Sequence, residues 1–275
     1  MHIARFILAA VLIFYAVWGL TLYFGQDRII FPRFALSEPA AGAPPGIESW
    51  TRPIAGGTVE AWYAPASRPA ATVVAGPVVV YFHGNGELID EQRRTIEFYR
   101  RLGISVLLPE FRGYGRSAGR PSEASAVADA AAFVARLAQR PEIDARRVAF
   151  HGRSLGGGVA AQLCRRTTPA ALILESSPAS IAGLARRYLV PGFLVRHPFH
   201  TDRVVAQRRC PLLIIAGTLD TVVPVTEARA LHALDPGCCY LELRAGHNDL
   251  PRDEDRDTYE ETIVEFLRAT GVLAG

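Results

Sequence analysis

Apolar and polar positions along most of the chain predict strands that alternate with helices. Two short runs at 47–54 and 58–63 flank a Gly-Gly pair and predict a strand pair. A β-branched run at 77–82 predicts a fully buried strand, and amphipathic spacing at 92–102 predicts a helix. Further strands are expected at 104–108, 148–150, 171–174, 212–216 and 240–243, and further helices at 122–139, 154–165, 226–234 and 259–268. This order favours an α/β fold with a mostly parallel central sheet flanked by helices.

One stretch interrupts the alternation. Residues 176–209 contain no strand pattern, and their apolar segments at 181–190 and 193–195 are spaced like short helices. The stretch lies between two predicted strands of the sheet. We therefore expect a small helical cap inserted into the domain at about 176–209.

The N-terminus carries a candidate membrane anchor. Residues 6–24 contain no charged side chain, and as a helix they would be about 28 Å long, close to the hydrocarbon thickness of a bilayer. A cleaved signal peptide is the competing interpretation, but the run is long and no small-x-small cleavage site follows it. We predict a single-pass anchor at 1–25, a Pro- and Gly-rich linker at 26–46 and one domain at 47–275. Arginines on both sides of the run leave the side of the membrane undetermined.

Composition narrows the class of protein further. The 275 residues are 49% hydrophobic and 21% charged, which excludes a wholly disordered chain. The formal charge of +3 is too small to suggest a nucleic-acid partner. Four cysteines form no CxxC pair and no zinc-finger spacing with histidine, so neither a metal site nor a disulfide framework is expected. No cofactor is predicted either.

The sharpest motif is Gly152-Arg153-Ser154-Leu155-Gly156, which joins a predicted strand directly to a predicted helix. This is the GxSxG pattern of a nucleophile elbow. Its glycines relieve crowding where a sharp turn presses strand against helix. The turn exposes Ser154 at the helix N-terminus, where the positive end of the dipole favours an oxyanion. Ser154 is therefore the predicted nucleophile.

A serine nucleophile needs a base and an acid that orients the base. Among seven histidines, His247 lies in a loop just after the last predicted strand, and Asp220 likewise follows a strand end. The side chains Ser154, Asp220 and His247 would meet where parallel strands end. Asp235 and Asp249 are alternative acids, although Asp235 sits at a helix end and Asp249 is close to His247 in sequence.

A second glycine-rich loop, His83-Gly84-Asn85-Gly86, follows the buried strand at 77–82. Such a loop supplies one backbone N–H of an oxyanion hole, and the residue after the nucleophile supplies the other. The predicted donors are the amides of Asn85 and Leu155. His83 is expected to brace the loop rather than to act as the base.

Together these motifs resemble the α/β-hydrolase superfamily, and within it the membrane-anchored Bem46-like (α/β-hydrolase-domain 13-like) branch. The matching residues are His83-Gly84-Asn85-Gly86, Phe111-Arg112-Gly113-Tyr114-Gly115-Arg116-Ser117, Gly152-Arg153-Ser154-Leu155-Gly156-Gly157, Asp220 with Val223-Pro224, and Gly246-His247. The resemblance implies the α/β-hydrolase fold and a serine-hydrolase mechanism. It does not supply a substrate.

We therefore expect a membrane-tethered hydrolase that cleaves carboxylic esters or thioesters through an acyl-enzyme on Ser154. The tether and the apolar cap residues favour acyl-chain or lipid-like substrates. Two alternatives stay open: a peptidase of the S33-like type on the same triad, and a non-catalytic membrane-tethered binding module.

Overall fold

A computed structural model describes residues 2–67 and 75–274. Its eight strands form one sheet in the order β1-β2-β4-β3-β5-β6-β7-β8, in which β2 alone runs opposite to the other seven strands. The mostly parallel sheet is confirmed. The strands are β1 (Glu48–Ile54), β2 (Gly57–Ala64), β3 (Gly76–Phe82), β4 (Ser105–Pro109), β5 (Ile143–Arg153), β6 (Ala171–Glu175), β7 (Leu212–Gly217) and β8 (Cys239–Leu243).

Helices cover both faces of the sheet, and two apolar clusters fill the two interfaces. The helices are α1 (His2–Ile30), α2 (Arg93–Arg101), α3 (Glu123–Leu137), α4 (Leu155–Cys164), α5 (Ile181–Ala185), α6 (Thr201–Val205), α7 (Val225–Leu234) and α8 (Arg256–Ala269). Strands β3, β4, β6 and β7 are buried along their whole length, because helices pack on both sides of them.

Two elements differ in extent from the sequence prediction. Strand β5 begins at Ile143 rather than at residue 148: it pairs with β3 at Ile143 and again from Val148, and Arg146 and Arg147 lie in the irregular stretch between, where the apolar pattern is interrupted. In the cap, the expected helix at 181–190 is only the short α5 followed by one turn at Arg186–Tyr188. Helix α6 lies in the same insertion and was not foreseen. The Pro-, Ala- and Ser-rich stretch at 65–76, whose composition predicts a loop, falls largely on residues 68–74, outside the described ranges.

The apolar N-terminal segment is one long helix. Within the described residues, α1 is the helix whose length and composition would let it cross a membrane. It continues to Ile30, five residues beyond the predicted anchor, and Gln26 and Ile30 are buried. Phe31 follows and packs against Phe111 and Phe199.

The chain after α1 lies along the domain. Arg33–Ala35 form a single helical turn, and the backbone N–H of Ala40 donates to Asp90 at 2.9 Å. The Pro- and Gly-rich composition of residues 35–47 is typical of a tether that lifts a domain off a membrane. The buried Phe31 and the polar contact at Asp90 instead hold this segment against the fold. The division into residues 1–25, 26–46 and 47–275 stays a prediction.

Candidate active site

The turn at the end of β5 places Ser154 in a strained conformation. Ser154 has φ 53° and ψ −121°, and its N–H donates to the carbonyl of Glu175 at the end of β6. A Cβ on Gly152 would lie 2.4 Å from the carbonyl oxygen of Gly156, and one on Gly156 would lie 2.1 Å from that of Phe82. Glycine is therefore required at both positions, because strand and helix backbones touch there. Such strain is typical of a functional turn.

Three side chains meet above this turn. The Ser154 hydroxyl donates to His247 Nε2 at 3.0 Å, and His247 Nδ1 donates to Asp220 Oδ2 at 2.6 Å. The other carboxylate oxygen of Asp220 accepts from the N–H groups of Val222 and Val223, both at 2.8 Å. The backbone thus fixes the carboxylate, the carboxylate orients the imidazole, and the imidazole faces the hydroxyl. This chain of contacts has the geometry of an activated serine nucleophile.

The alternative acids point elsewhere. Asp235 pairs with Arg208, and this contact lowers the pKa of the Asp235 carboxyl below its usual range. Asp249 accepts from the N–H of Gly246 at 2.6 Å and from Arg252 at 2.9 Å. Asp249 therefore shapes the loop that carries His247.

The predicted oxyanion loop lies beside the nucleophile. The N–H groups of Asn85 and Leu155 donate to no other residue that the structure describes, so both are free for a ligand. The Asn85 carbonyl accepts from the Tyr114 hydroxyl at 2.7 Å, and its side-chain amide donates to the carbonyl of Ile30 at 3.2 Å. The loop is thus held from both sides, by Tyr114 and by the end of α1. The oxyanion role of Asn85 and Leu155 stays a prediction.

His83 is buried beneath the same loop. Its Nδ1 lies 2.8 Å from the Gly84 carbonyl and its Nε2 lies 2.9 Å from Glu110. The Gly84 carbonyl only accepts, so Nδ1 carries a hydrogen, and Nε2 pairs with the Glu110 carboxyl group. Burial alone would lower the pKa of His83, but the charge and hydrogen bond of Glu110 raise it above its ordinary value. His83 thus braces the loop through contacts at both ring nitrogens.

We expect this pair to make stability depend on pH. Because the folded-state pKa of His83 is raised, its contribution is complete below the unfolded value of about 6.5 and is lost as pH rises through the folded value. His83→Gln should lower the free energy of unfolding by about 2–4 kcal/mol at pH 6, and by less at higher pH. Urea unfolding across this range measures the difference. His200→Gln, at the half-exposed pair with Asp202, should cost under about 1 kcal/mol throughout. A loss at His83 that does not change with pH would contradict the ion pair.

Arg153 connects the elbow to the loops on either side. Its Nη2 donates to the His247 carbonyl at 2.6 Å, its Nη1 pairs with Glu87, and its Nε lies 3.3 Å from Glu175. Glu87 in turn accepts from the N–H of Gly84 at 3.1 Å. One guanidinium therefore contacts the histidine loop and, through Glu87, the oxyanion loop. Sequence reasoning missed this role, although a charged residue at the end of a buried strand was a signal that could have shown it.

Glu175 carries a buried charge in the same network. Burial would raise its pKa, but His151, then Arg153, and the Tyr259 hydroxyl hold the pKa of Glu175 below its usual value. The Tyr259 hydroxyl donates at 2.5 Å and His151 Nε2 lies 3.3 Å away. His151, one of the six histidines other than His247, thus belongs to the network below the elbow.

Removing the Arg153 guanidinium should slow catalysis while Ser154, His247 and Asp220 remain in place. We expect Arg153→Met to lower kcat for an ester about 10- to 100-fold with little change in KM, because the histidine loop loses its anchor. Arg153→Lys, which keeps the charge but not the fork, should recover part of the loss. Arg146→Met is the matched control, since the Arg146 side chain is 90% exposed. A change in KM alone would contradict a positioning role.

The site offers no constellation for a metal ion. Within residues 2–67 and 75–274, no group of three or more His, Cys, Asp or Glu side chains is arranged to hold one. The polar side chains at the elbow are engaged with one another, as described above. What the arrangement offers is a hydroxyl, a base and two free amides.

Comparison with known proteins agrees with this geometry. A family model described as serine aminopeptidase, S33, matches residues 75–196. An uncharacterized protein of Mycobacterium tuberculosis is 32% identical over 90% of this chain and 89% of its own length. Protein bem46 of Schizosaccharomyces pombe is 28% identical over 70% of this chain and 67% of its own length. The lysophosphatidylserine lipase ABHD12 of Danio rerio is 35% identical over 58% of this chain and 47% of its own.

Solved structures give the same fold. Esterase 2 of Thermogutta terrifontis superposes with a TM-score of 0.68 at 19% identity, covering 86% of this chain and 99% of the esterase. The order of strands, the elbow at the end of β5 and the sequence relatives all agree. The chain is a hydrolase that belongs to the α/β-hydrolase superfamily, with Bem46-like proteins among its relatives.

Proposed function

We propose that this hydrolase is a serine esterase or thioesterase that acts on acyl-chain or lipid-like substrates. The observation that carries the proposal is the continuous contact from Ser154 through His247 to Asp220. A binding module has no need of a strained serine, an oriented imidazole and a carboxylate at three strand ends.

The chemistry follows from the contacts. The Ser154 oxygen attacks the acyl carbonyl while its proton moves to His247 Nε2, and Asp220 stabilises the imidazolium that forms. The free N–H groups of Asn85 and Leu155 would receive the tetrahedral oxyanion, at about 3 kcal/mol per donor. The leaving oxygen or sulfur takes the proton from His247 and departs. Water then repeats the sequence and releases the acid.

Two features favour lipid-like substrates. The cap exposes large apolar side chains, and its turn lies beside the apolar α1. The Danio rerio relative is named as a lysophosphatidylserine lipase, a hydrolase of a lipid ester. We therefore propose that α1 anchors the enzyme in a membrane as a single pass. Retention of the full-length protein in membranes after alkaline extraction tests the anchor, and its release would contradict it.

A fluorophosphonate probe tests the nucleophile. We expect the wild-type protein to be labelled and both Ser154→Ala and His247→Ala to lose labelling, because the probe reacts with an activated serine. Asp249→Asn, near His247 but outside the triad, should keep labelling. Labelling that persists in Ser154→Ala, or folded wild-type protein that does not label, would overturn the proposal. A panel of oxygen and thioesters of rising acyl length then defines the substrate.

A peptidase is the second candidate, because the matching family model is described as a serine aminopeptidase. The same triad would then release a free amine. Turnover of a chromogenic aminoacyl arylamide, compared with turnover of a chromogenic acyl ester, separates a peptidase from an esterase. Turnover of the arylamide alone would favour the peptidase.

A further inference from the structure

The cap touches α1 within the C-terminal half of its apolar run, at residues 15–18, rather than beyond its end. The Tyr15 hydroxyl donates to the Leu189 carbonyl at 2.8 Å, and Trp18 Nε1 donates to the Tyr188 carbonyl at 3.0 Å. We call residues 186–189 and 192–194 the cap tip. If α1 enters a bilayer through this apolar run, the cap tip must lie at membrane depth beside it.

The side chains of the cap tip suit that position. Tyr188, Leu189 and Phe193 are 65%, 70% and 86% exposed, and the backbone carbonyls of the first two accept hydrogen bonds from α1. Clustered large apolar side chains are unusual on a surface that faces only water. Leu189 also adopts φ 59°, a left-handed conformation that is strained for leucine and leaves its side chain outward.

We infer that the cap tip inserts into the membrane leaflet that α1 enters, so that the two form one lipid-facing surface. The inference rests on the proposed membrane anchorage of α1. The occupant is the bilayer itself, because this surface is continuous with the anchor helix.

Charges next to the cap tip fit a lipid headgroup layer. Arg186 and Arg187 are exposed, and neither pairs with a carboxylate among the described residues. Their long side chains can reach lipid phosphates while the neighbouring apolar residues lie deeper. Tyr15, Trp18 and Tyr188 supply the amphipathic rings typical of a membrane interface.

The same helix leads from the cap tip to the catalytic loop. Below Trp18, Gln26 donates to the Leu194 carbonyl at 3.1 Å and accepts from the Arg196 N–H at 2.7 Å. At its end, Ile30 accepts from the Asn85 amide. The distance from Trp18 to Ile30 is about 18 Å along the helix. An ester in the same leaflet would thus meet the cap tip and the oxyanion loop along one side of α1.

Site-directed fluorescence tests the insertion on the full-length protein in phosphatidylcholine–phosphatidylglycerol vesicles. The exposed Cys239 is replaced by serine, since the other three cysteines are buried or half-buried. An environment-sensitive nitrobenzoxadiazole probe is then placed through Leu189→Cys or Phe193→Cys. Phe14→Cys serves as the anchor reference and Arg146→Cys as the water reference. We expect blue-shifted emission, quenched by nitroxide-labelled lipids, at 14, 189 and 193 but not at 146.

Each other outcome is distinct. Quenching at 14 alone would overturn the insertion and leave the anchor standing. No quenching at 14 would remove the anchor proposal, and the inference with it. Blue-shifted emission at 193 without lipid quenching would mean that a second copy covers the cap tip, which also overturns the inference.

Activity gives an independent test. Phe193→Glu should lower turnover of a long-chain ester embedded in vesicles about 10-fold, because a charge is excluded from the leaflet. Turnover of a soluble short-chain ester should stay unchanged. Leu234→Glu, at an exposed apolar residue at the far end of α7, is the matched control and should affect neither. Equal losses on both substrates, or no loss on vesicles, would overturn the inference.

Discussion

Replacing Asp220 by Asn should lower kcat for an ester about 10⁴-fold and leave KM nearly unchanged. The carboxylate accepts the His247 Nδ1 hydrogen at 2.6 Å and fixes the tautomer that leaves Nε2 free to take the serine proton. An amide of the same shape can present its N–H₂ to the ring and select the wrong tautomer. The loss belongs to the transition state, because the imidazolium forms only there.

The two alternative acids provide matched controls. Asp235→Asn weakens the pair with Arg208, and Asp249→Asn weakens the turn before His247. Each should lower kcat by less than about 10-fold, since neither carboxylate touches the imidazole. Steady-state kinetics with thermal unfolding of all three variants separates catalysis from folding. If Asp220→Asn retained activity and Asp249→Asn lost it, the assignment of the acid would be wrong.

The sequence was sufficient to predict the sheet and to nominate the three side chains that meet at its edge. Buried strands such as β3 and β7 are continuous apolar runs, which few other elements produce at that length. Ser154, Asp220 and His247 each follow a strand end, and parallel strands bring those ends together. Local pattern and topology therefore carried the prediction of the site.

Contacts between distant segments could not be read the same way. Arg153 looked like a variable position within GxSxG, and only the fold shows that it reaches the His247 carbonyl. The segment after residue 25 has the composition of a linker, yet Ile30 holds Asn85 and Phe31 packs into the core. Composition predicts the conformational preference of a segment on its own, whereas its burial depends on the part of the fold against which it packs.

The helix α1 consequently has two roles in the fold. Its first half is exposed and apolar, and its last turn is packed against the oxyanion loop. A membrane anchor attached through a free tether would leave the orientation of the site open. Here the contacts at Gln26 and Ile30 fix the catalytic edge of the sheet relative to the helix axis.

A single added methyl group at the nucleophile elbow, in Gly156→Ala, should produce the second large loss of activity and stability. A Cβ at Gly156 would lie 2.1 Å from the Phe82 carbonyl oxygen and 2.6 Å from that of His83, so no side-chain rotation can relieve the clash. Gly156→Ala should lower the free energy of unfolding by about 3 kcal/mol and kcat at least about 100-fold, because β3 and its oxyanion loop must move away from α4.

Substitutions at two other glycines serve as controls for this prediction. Gly158→Ala meets the Cβ and ring of Phe199 at 3.0 Å, a longer approach to a side chain rather than to a backbone carbonyl, so we expect a smaller loss of stability. Gly86→Ala lies in the oxyanion loop with nothing within 4 Å and should be close to wild type in stability. Urea unfolding and ester kinetics should therefore rank the variants in the order Gly156, Gly158, Gly86. Wild-type activity in Gly156→Ala would mean that β3 and α4 are not in contact at the nucleophile, and the elbow would lose its structural basis.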